Sequence, residues 1–481
     1  MLPELPRKPA ADFLADPQRR KVLGAIAGSV VVAGAWPGFV IAENIENDVI
    51  YLRPKDKAYD DYTTVFNKCI RRRPALVAVC YNEQGVVHAV KRAKREGLPV
   101  AIKSGGHSFE GFSINDSGFV IDVSGMQEQQ LAANGRYTVG PACTLMQAYE
   151  DLVPQGRMLA LGSCGMVGIA GLTLGGGYGL FSRQHGLACD ALRRLRMVDG
   201  NGRVHEVQEG SELFRACRGG GNGSFGVVTQ MEFETFAAPQ HLWRHVFKFQ
   251  KMDARRAEAC AKLWFGLAPK LPRTAFSAFV LNHRSLTVLI TNTAEEITPG
   301  LSEVLGKLRA AADKYYKDRK EPLIDGIRRY YGKLSPLYFK NASAGFYESY
   351  DDIAAVAPEL FRQVAATPGL LYQINTMGGA VGEMDDGSKT AYAHRSANFI
   401  SEIQSYWEAP EKEGFYREAV KEFLGKIETN KIGRHYCNYP DVSFSDWPTA
   451  YYGKEGYMRL QQVKRRYDPD NLFSHAQSVQ L

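Results

Sequence analysis

The sequence lacks several patterns that would define other classes of protein. Its eight cysteines are spread over 481 residues without a CxxC pair or a regular spacing, which argues against a disulfide framework and a structural zinc site. The net charge is +7, but the short basic runs at 71–73 and 464–466 are not interleaved with aromatic residues. A nucleic-acid groove needs a continuous basic face, so we expect no nucleic-acid partner. The composition, 45% hydrophobic and 23% charged, is typical of a globular enzyme.

The first 42 residues have the composition of an export signal. Arg19 and Arg20 precede an uncharged run of 21 residues, 22–42, and the small residues at 33–35 offer a cleavage site. This arrangement resembles a bacterial twin-arginine signal. The alternative is a retained membrane anchor, because 21 apolar residues can span a bilayer, but Pro37 and Gly38 interrupt the run. We therefore expect export by the twin-arginine machinery, a periplasmic or secreted location, and no stable membrane insertion after processing.

In the rest of the chain the sequence pattern changes twice, near residue 239 and at His435. Residues 45–238 begin with a brief αβ alternation, in which Asn82 caps a helix that ends at Gly97, and continue with β segments joined by glycine-rich turns. Residues 239–434 contain amphipathic helices near 254–267, 297–316 and 412–428 and strands such as 275–281, 286–292 and 370–375. This order predicts an α+β architecture with helices on one face of an antiparallel sheet. From His435 the sequence returns to loops rich in aromatic residues and glycine.

Two glycine-rich loops are the most informative feature. Cys164 is followed within 15 residues by glycines at 165, 168, 171, 175, 176, 177 and 179. Glycine costs backbone entropy and gives no packing in return, so such a run indicates main chain that passes very close to another group. The second loop, KSGGHSFEGFS at 103–113, places glycines around His107. Together the loops are suited to clamp an extended diphosphate through backbone N–H groups.

His107 and Cys164 each have an ordinary structural interpretation. A single histidine usually bonds to backbone, and a single cysteine is usually a small core residue. A nicotinamide dinucleotide is disfavoured because GGGYG lacks compact βαβ surroundings. As a pair, one in each glycine loop, a thiolate and a neutral imidazole are nucleophiles able to bond to an electrophilic ring.

Three separated motifs carry a family resemblance. KSGGHSFEGFS, GSCGMVGIAGLTLGGGYGLFSRQHGLACD, and the tail HYCNYPD with RLQQVKRRYDPDNLF are similar to the berberine bridge enzyme-like branch of the vanillyl-alcohol oxidase superfamily. The resemblance covers nearly all of the chain after the signal segment. It implies a two-domain α+β flavoprotein, with an FAD-binding domain at 45–238, a substrate-binding domain at 239–434, and a segment at 435–481 that returns to the FAD domain.

The resemblance implies a covalently held FAD. His107 would bond to the flavin 8α-methyl group and Cys164 to ring carbon C6. Val167 matches a position that gates oxygen access in relatives, which favours an oxidase over a dehydrogenase, although a plain packing role is the alternative. The other residues expected to line the FAD are Lys103, Ser104, Gly105, Gly106, Ser108, Gly168, Gly171, Gly176, Gly223, Phe225, Gly226, Val228 and Asn438.

The catalytic base must come from elsewhere in the chain. Tyr439 matches the catalytic tyrosine of sugar-oxidising relatives, and Tyr436 is the second candidate. The alternative is that the tyrosine only packs the tail onto the flavin domain, as aromatic core residues commonly do. A tyrosine needs a nearby cation or a polarised hydrogen bond to act as a base near neutral pH.

The substrate side is less well marked. Gln373 and Asn375 alternate on a strand and would face one side, where they can bind sugar hydroxyls. His394 lies in a segment that resembles one lining the substrate side in the family. The alternative to substrate binding is that all three are ordinary residues of a sheet. The pairs His185 with Cys189 and His435 with Cys437 lack further ligands, so we predict no metal site.

The resemblance implies an oxidase that passes hydride from a substrate alcohol to the flavin and electrons to O2, giving hydrogen peroxide. The first substrate class is a mono- or oligosaccharide oxidised at its anomeric carbon to a lactone. The alternatives are a phenolic, alkaloid-like or polyketide metabolite, or a dehydrogenase with another acceptor. A protein that only binds or stores flavin would need neither a base nor two covalent anchors.

Overall fold

The computed structural model describes residues 48–384 and 388–481. The predicted twin-arginine segment, 1–42, lies outside these residues. Within the described part of the chain, no helix has both the length and the apolar character needed to cross a membrane.

The first sheet has four strands in the order β1-β2-β4-β3. Its strands are β1 Val49–Leu52, β2 Leu76–Cys80, β3 Val100–Lys103 and β4 Phe119–Asp122. β4 pairs in parallel with both β2 and β3, and its four residues are all buried, as expected for a covered parallel sheet. The first glycine loop leaves the carboxyl end of β3, an edge at which ligands commonly bind in parallel sheets.

Two helices accompany this sheet, α1 (Tyr59–Thr63) and α2 (Glu83–Glu96). The Asn82 side chain accepts a hydrogen bond of 3.0 Å from the Gly85 N–H at the start of α2. Gly97 ends the helix with φ +66°, a conformation that favours glycine. The capping and the helix end predicted from sequence are both confirmed.

The second sheet is antiparallel, with five strands in the order β5-β6-β10-β8-β9, and a two-stranded ribbon pairs β7 with β11. The helices α3 to α7 lie between these strands in the sequence. The strands are β5 Gln129–Leu131, β6 Arg136–Val139, β7 Arg157–Met158, β8 Leu192–Asp199, β9 Val204–Gln208, β10 Gly226–Glu234 and β11 Phe236–Ala237. The helices are α3 Leu145–Leu152, α4 Ile169–Leu174, α5 Ser182–His185, α6 Ala188–Ala191 and α7 Glu212–Ala216.

The largest sheet has seven strands in the order β15-β12-β14-β13-β17-β18-β16, and every pair is antiparallel. Its strands are β12 His241–Phe249, β13 Ala275–Asn282, β14 Ser285–Asn292, β15 Lys314–Pro322, β16 Tyr338–Tyr347, β17 Leu370–Thr376 and β18 Phe399–Trp407. The helices of this region are α8 Ala254–Leu267, α9 Pro299–Ala311, α10 Leu323–Arg328, α11 Ala357–Ala366, α12 Ala380–Glu383 and α13 Glu413–Thr429.

Helices α8, α9, α11 and α13 share one hydrophobic core with the large sheet. Trp264 of α8 packs at 5.7 Å from Phe279 and 5.3 Å from Phe399, measured between ring centroids, and its indole N–H donates to Ser277. Alternate residues of the central strands point the other way. Some of them, such as Val280, Gln373 and Gln404, are half-buried, whereas others, such as Ala278, Asn375 and Glu402, are buried. We call this second side the open face. The helix-covered α+β sheet expected from sequence is confirmed.

One predicted element ends differently. The helix expected over 297–316 stops at Ala311, and Lys314 begins strand β15. Tyr315 stacks on Phe247 of β12, so pairing with the edge of the large sheet overrides the local helical pattern.

The C-terminal segment contains α14 (Trp447–Tyr452) and α15 (Lys454–Tyr467) and packs on the first half of the chain. The Lys464 ammonium, fully buried, donates to the Ser224 carbonyl and to the Asp468 carboxylate. Phe473 forms a bridge to Val100. The three smaller sheets use residues 49–237 and the large sheet residues 241–407. The domain boundaries themselves stay a prediction.

Candidate active site

The two glycine loops meet backbone to backbone. A Cβ atom on Gly105 would lie 2.4 Å from the Gly168 nitrogen, and one on Gly168 would lie 2.5 Å from the Ser104 hydroxyl. Gly106 has φ +66°, which favours glycine. These glycines let the loop that carries His107 and the loop that carries Cys164 touch.

His107 lies flat against Phe66, with ring centroids 3.9 Å apart. Burial lowers the pKa of His107 to about 3. The imidazole is therefore neutral at physiological pH, which leaves a ring nitrogen with a free electron pair.

Cys164 is solvent-exposed, yet the surrounding protein raises its pKa to about 11, chiefly by desolvation and secondarily through the charge of Glu402. The side chain reaches solvent, while the protein atoms around it disfavour the charged thiolate. Gly165 allows this position, because a Cβ there would meet the Tyr331 ring at 2.9 Å.

The glycines divide into two groups by what surrounds them. A Cβ on Gly176 would meet the Tyr392 ring at 2.8 Å, and one on Gly179 would meet the Leu161 carbonyl at 1.9 Å. These two positions serve protein packing. By contrast, a Cβ on Gly171 has no atom within 4 Å, and one on Gly223 meets only Ile102, at 3.8 Å.

Several side chains of the predicted FAD lining are held by protein groups. The Lys103 ammonium forms a buried ion pair of 2.9 Å with Asp122, and the Ser104 hydroxyl donates to the Pro141 carbonyl. The Ser108 hydroxyl accepts from the Phe112 N–H. Val167 is half-buried against the core, and Phe225, Gly226 and Val228 are buried. Contact of these residues with FAD stays a prediction, and for the three polar ones it would involve the backbone.

Tyr436 and Tyr439 differ sharply in their surroundings. The Tyr436 hydroxyl oxygen accepts hydrogen bonds of 2.9 Å from the Gly177 N–H and from the Asn438 side-chain amide. Asn438 also donates to the Leu172 carbonyl. Through these hydrogen bonds, Tyr436 and Asn438 of the C-terminal segment bind to the backbone of the glycine run that follows Cys164.

Tyr439 is half-buried and stacks on Phe109 of the first glycine loop. Burial, followed by the charge of Glu402, holds the pKa of Tyr439 well above its ordinary value. A tyrosine base was expected to need a nearby cation or a polarised hydrogen bond, and neither is among the influences that shift this pKa. A carboxyl group lies there instead.

Glu402 was missed by the sequence reasoning. It lies on β18, and burial raises its pKa to about 8, although hydrogen bonds from Gln404 and Asn341 partly oppose that rise. Its carboxylate accepts from the Gln404 amide at 3.0 Å. The alternation of Glu402, Gln404 and Tyr406 along one strand was the available signal.

Gln373 and Asn375 lie on β17 beside Glu402, on the open face, as their alternation predicted. The Gln373 amide donates to Asn375 at 3.0 Å and accepts from Gln404 at 3.4 Å. These bonds join a hydrogen-bonded set that we call the polar cluster. Its members are Asn341, Gln373, Asn375, Glu402, Gln404 and Tyr406.

His394 is not brought into the polar cluster. It is buried and stacked on Phe346, and burial lowers its pKa to about 3. Its predicted contact with substrate is not tested by this position. In the described ranges no group of three or more His, Cys, Asp or Glu side chains is arranged to hold a metal ion.

The residues present fit a bound FAD. Thr173 Oγ1, in the glycine run that follows Cys164, and Asn222 Oδ1, between Gly221 and Gly223, are buried without a hydrogen-bond partner among the described residues. Gly171 and Gly223 leave open backbone, and a thiol and a neutral imidazole lie in the adjoining loops. Next to them the polar cluster supplies hydroxyl-binding groups. This combination of fold and site defines a flavin-dependent oxidoreductase.

Comparison with known proteins agrees with this class. A family model described as FAD binding domain matches residues 74–208, and one described as Berberine and berberine like matches residues 435–480. The chain belongs to the berberine bridge enzyme-like FAD-linked oxidases of the vanillyl-alcohol oxidase superfamily. It is an FAD-dependent enzyme.

Three relatives represent the family. An aclacinomycin-N/aclacinomycin-A oxidase of Streptomyces galilaeus is 28% identical over 539 residues, covering 96% of this chain and 98% of the relative. A chitooligosaccharide oxidase of Gibberella zeae is 28% identical over 466 residues, covering 86% and 89%. The crystal structure of an Acremonium strictum glucooligosaccharide oxidase, described as revealing a novel flavinylation, has a TM-score of 0.81 at 25% identity, covering 90% of this chain and 96% of that one.

Proposed function

We propose that this enzyme oxidises the anomeric carbon of a mono- or oligosaccharide to a lactone, with FAD attached through both His107 and Cys164. The observation that carries the proposal is the polar cluster on the open face, next to the exposed Cys164 thiol and Tyr439. Amides, a carboxyl group and a phenol hydroxyl on adjacent strands form a donor and acceptor surface suited to sugar hydroxyls. Two of the three relatives described above act on oligosaccharides by name.

The bound FAD would accept hydride from the substrate carbon and return electrons to O2, giving hydrogen peroxide. The protein must take the hydroxyl proton. A phenol with a raised pKa is protonated at neutral pH and is a poor base alone. We assign Tyr439 the role of receiving the substrate proton while its own proton passes to the ionised Glu402 carboxylate.

Attachment at two positions is supported by the chemistry of the two loops. The neutral imidazole of His107 is nucleophilic without a prior deprotonation. The Cys164 thiol becomes nucleophilic on ionisation, and its exposure leaves it accessible to the flavin ring.

For the N-terminal segment, the pair Arg19 and Arg20 supports export by the twin-arginine machinery to the periplasm or beyond, with the segment removed.

The test is anaerobic mixing of the enzyme with a panel of neutral mono- and oligosaccharides while flavin absorbance is recorded. Bleaching by a sugar, followed by recovery and hydrogen peroxide formation on admission of O2, is the expected result. Failure of every sugar to bleach the flavin would contradict the carbohydrate proposal.

Export has its own test. Replacing Arg19 and Arg20 by lysine should retain the precursor in the cytoplasm.

A second substrate class has a specific observation in its favour. The alignment spans 98% of the length of the aclacinomycin oxidase relative, so a phenolic, alkaloid-like or polyketide metabolite belongs in the same panel. Bleaching by such compounds alone would assign the enzyme to that class. Bleaching by none of the compounds would favour a flavin-binding role. Bleaching without recovery in O2 would indicate a dehydrogenase.

A further inference from the structure

Strands β13 and β17 part directly beyond Asn375, a member of the polar cluster. Their ladder of paired residues ends at the pair Ala278–Asn375. At the next position a side chain replaces the strand pairing, because the Thr376 hydroxyl accepts from the Ser277 N–H at 2.9 Å and donates to the Ser277 carbonyl at 3.2 Å. We call the opening between the two strands the fork.

The side chain of Arg183 joins the two sides of the fork. Its Nε–H donates to the Ala275 carbonyl at 2.9 Å, and its two Nη groups donate to the carbonyls of Met377 and Leu271. Ala275 is the first residue of β13, and Met377 follows the last residue of β17. One guanidinium therefore connects the two strands beyond the point where they part.

The turn after β17 is folded closely onto Arg183. Gly378 and Gly379 have φ values of +76° and +58°, which favour glycine. A Cβ atom on Gly379 would lie 2.4 Å from the Arg183 carbonyl, and one on Gly378 would lie 4.0 Å from the guanidinium. A shift of the arginine would therefore move this turn and the end of β17 with it.

The other end of the connection lies on the glycine run. Arg183 belongs to α5, in which the Ser182 N–H donates to the Gly179 carbonyl at 3.2 Å and the Ser182 hydroxyl accepts from the Gly179 N–H at 3.0 Å. The Tyr178 hydroxyl donates to the Thr376 carbonyl at 2.6 Å. Tyr178 and Arg183 thus each tie the segment proposed to lie along the flavin to the end of β17.

Packing alone does not require a charge at this position. In the part of the chain that the structure describes, Arg183 forms its bonds to backbone carbonyls and has no ion pair with a carboxylate. Burial lowers the pKa of Arg183, and a buried cation without a counter-ion costs free energy. Arginine holds five N–H donors in one rigid plane, whereas lysine carries a single mobile ammonium. Only arginine is therefore suited to hold three carbonyls at fixed separations.

We propose that Arg183 is a positioning residue for the reaction, which sets the width of the fork and thereby the place of Asn375 relative to the glycine run. A substrate held by the polar cluster would then reach the flavin in the alignment that hydride transfer needs. This inference rests on the proposed role of the polar cluster in substrate binding. A displacement of about 1 Å at such a site can cost about 100-fold in rate.

The experiment compares the FAD-loaded full-length enzyme with Arg183→Met and Arg183→Lys by anaerobic rapid mixing. The probe is the compound of the panel above that reduces the flavin fastest. We expect the limiting rate of reduction, per bound flavin, to fall about 10–100-fold in Arg183→Met. The dissociation constant of the probe should change much less, and the flavin content should not change. Arg183→Lys keeps the charge and part of the bonding, so its rate should lie between the other two.

A double-mutant cycle tests whether Arg183 acts through Asn375. In Asn375→Ala the group to be positioned is absent, so Arg183→Met should slow reduction much less there than in the unmodified enzyme. The matched control is Arg157→Met, which removes a guanidinium that binds the carbonyl and hydroxyl of Thr235, outside the large sheet. That control should lower stability and leave the limiting rate unchanged.

A second variant and a second measurement keep the test independent of folding and of substrate. Tyr178→Phe keeps the aromatic ring and removes only the bond to the Thr376 carbonyl, so it replaces Arg183→Met if that protein does not fold. Amide hydrogen exchange needs no substrate. Exchange at 371–377 should rise in Arg183→Met and in Tyr178→Phe, but not in Arg157→Met, because only the first two loosen the fork.

An unchanged limiting rate in Arg183→Met would overturn this inference, as would rate losses that add fully with Asn375→Ala or unchanged exchange at 371–377. The proposed function fails separately, when no sugar reduces the flavin. Reduction by another compound of the panel leaves the test of Arg183 in place. If no compound reduces the flavin, raised exchange supports the inference and unchanged exchange overturns it.

Discussion

The rings of Phe109 and Tyr439 lie 5.6 Å apart between centroids, with their planes 6° from parallel. Phe109 follows His107 by two residues in the first glycine loop, whereas Tyr439 lies in the C-terminal segment. A stacked pair of this kind contributes about 0.5–1.5 kcal/mol beyond its buried area. Its larger consequence is positional, because it fixes the orientation of the proposed proton-accepting ring relative to the loop that carries a flavin anchor.

Tyr439→Phe separates orientation from proton transfer, since it keeps the stacked ring and removes the hydroxyl. We expect the flavin to stay attached and its reduction by substrate to slow by about 10²–10⁴-fold. Rapid mixing under anaerobic conditions measures this rate. Phe109→Leu is the matched control, which keeps the hydroxyl and should slow reduction much less. Equal rates in Tyr439→Phe and the unmodified enzyme would exclude Tyr439 from proton transfer.

Single replacements at the two anchors should each leave the flavin attached. His107→Ala retains the Cys164 bond and Cys164→Ala retains the His107 bond, so both denatured proteins stay yellow after acid precipitation. The double variant should lose its colour. Because the Cys164 pKa is about 11, attachment of added FAD to apo His107→Ala should accelerate as pH rises towards that value. Loss of all colour from both single variants would contradict bicovalent attachment.

Local motifs predicted which loops lie together on the proposed cofactor side of the site. His107 and Cys164 lie in glycine-rich loops whose sequence limits the backbone directly, and the structure makes those loops touch through Gly105 and Gly168. Tyr436 and Tyr439 are three residues apart in one loop, so the sequence could not assign their roles. The hydrogen bond from the Gly177 N–H to the Tyr436 hydroxyl distinguishes them, and it depends on tertiary packing.

The substrate side was harder to predict because it is assembled by strand pairing. Glu402 reaches the polar cluster through the register of β18 with β16 and β17, and no local pattern specifies that register. Strand β15 was mistaken for the end of a helix for the same reason, as its partner β12 lies about 70 residues earlier in the chain.

Flavin reduction should depend on pH through Glu402. The carboxyl group is neutral below its pKa of about 8 and can accept a proton only when ionised. We therefore expect the reduction rate to rise with pH and level off above about 8. Glu402→Gln should be slow and should lose this dependence. A pH profile of unchanged shape in Glu402→Gln would assign the titration to another group.

The same group affects stability with a definite sign. Its pKa is raised from 4.5 in the unfolded reference to about 8 in the fold, so its contribution is intact below pH 4.5 and is lost as pH rises through 8. Above pH 8, Glu402→Gln should be the more stable protein, by up to about 4–5 kcal/mol at 1.36 kcal/mol per pKa unit. Denaturant unfolding at the two pH extremes measures the difference. Equal stability of the two proteins above pH 8 would contradict the raised pKa.

Lys340 joins the three parts of the site through a buried ion triad. Its ammonium contacts Glu110, three residues after His107, and lies 2.8 Å from Asp441, two residues after Tyr439. Lys340→Met leaves two buried carboxylates uncompensated, and we expect a loss of about 3–5 kcal/mol in the free energy of unfolding. The control Arg459→Met breaks the exposed pair with Glu212 and should cost less than about 1 kcal/mol. Similar losses in the two variants would contradict the triad's role.

Gly179 and Gly171 test the two functions of the glycine run. A Cβ on Gly179 would lie 1.9 Å from the Leu161 carbonyl, so Gly179→Ala forces backbone apart and should destabilise the protein with or without FAD. Gly171 is exposed within α4 and has open space around its Cβ position, so Gly171→Ala should leave the apo protein as stable as before or up to about 1 kcal/mol more stable. If Gly171 lies against FAD, however, the same methyl group should lower the fraction of flavin incorporated. Thermal unfolding of the apo and loaded proteins, together with the ratio of flavin to protein absorbance, distinguishes the two effects. Full flavin incorporation in Gly171→Ala would mean that this residue does not line the cofactor.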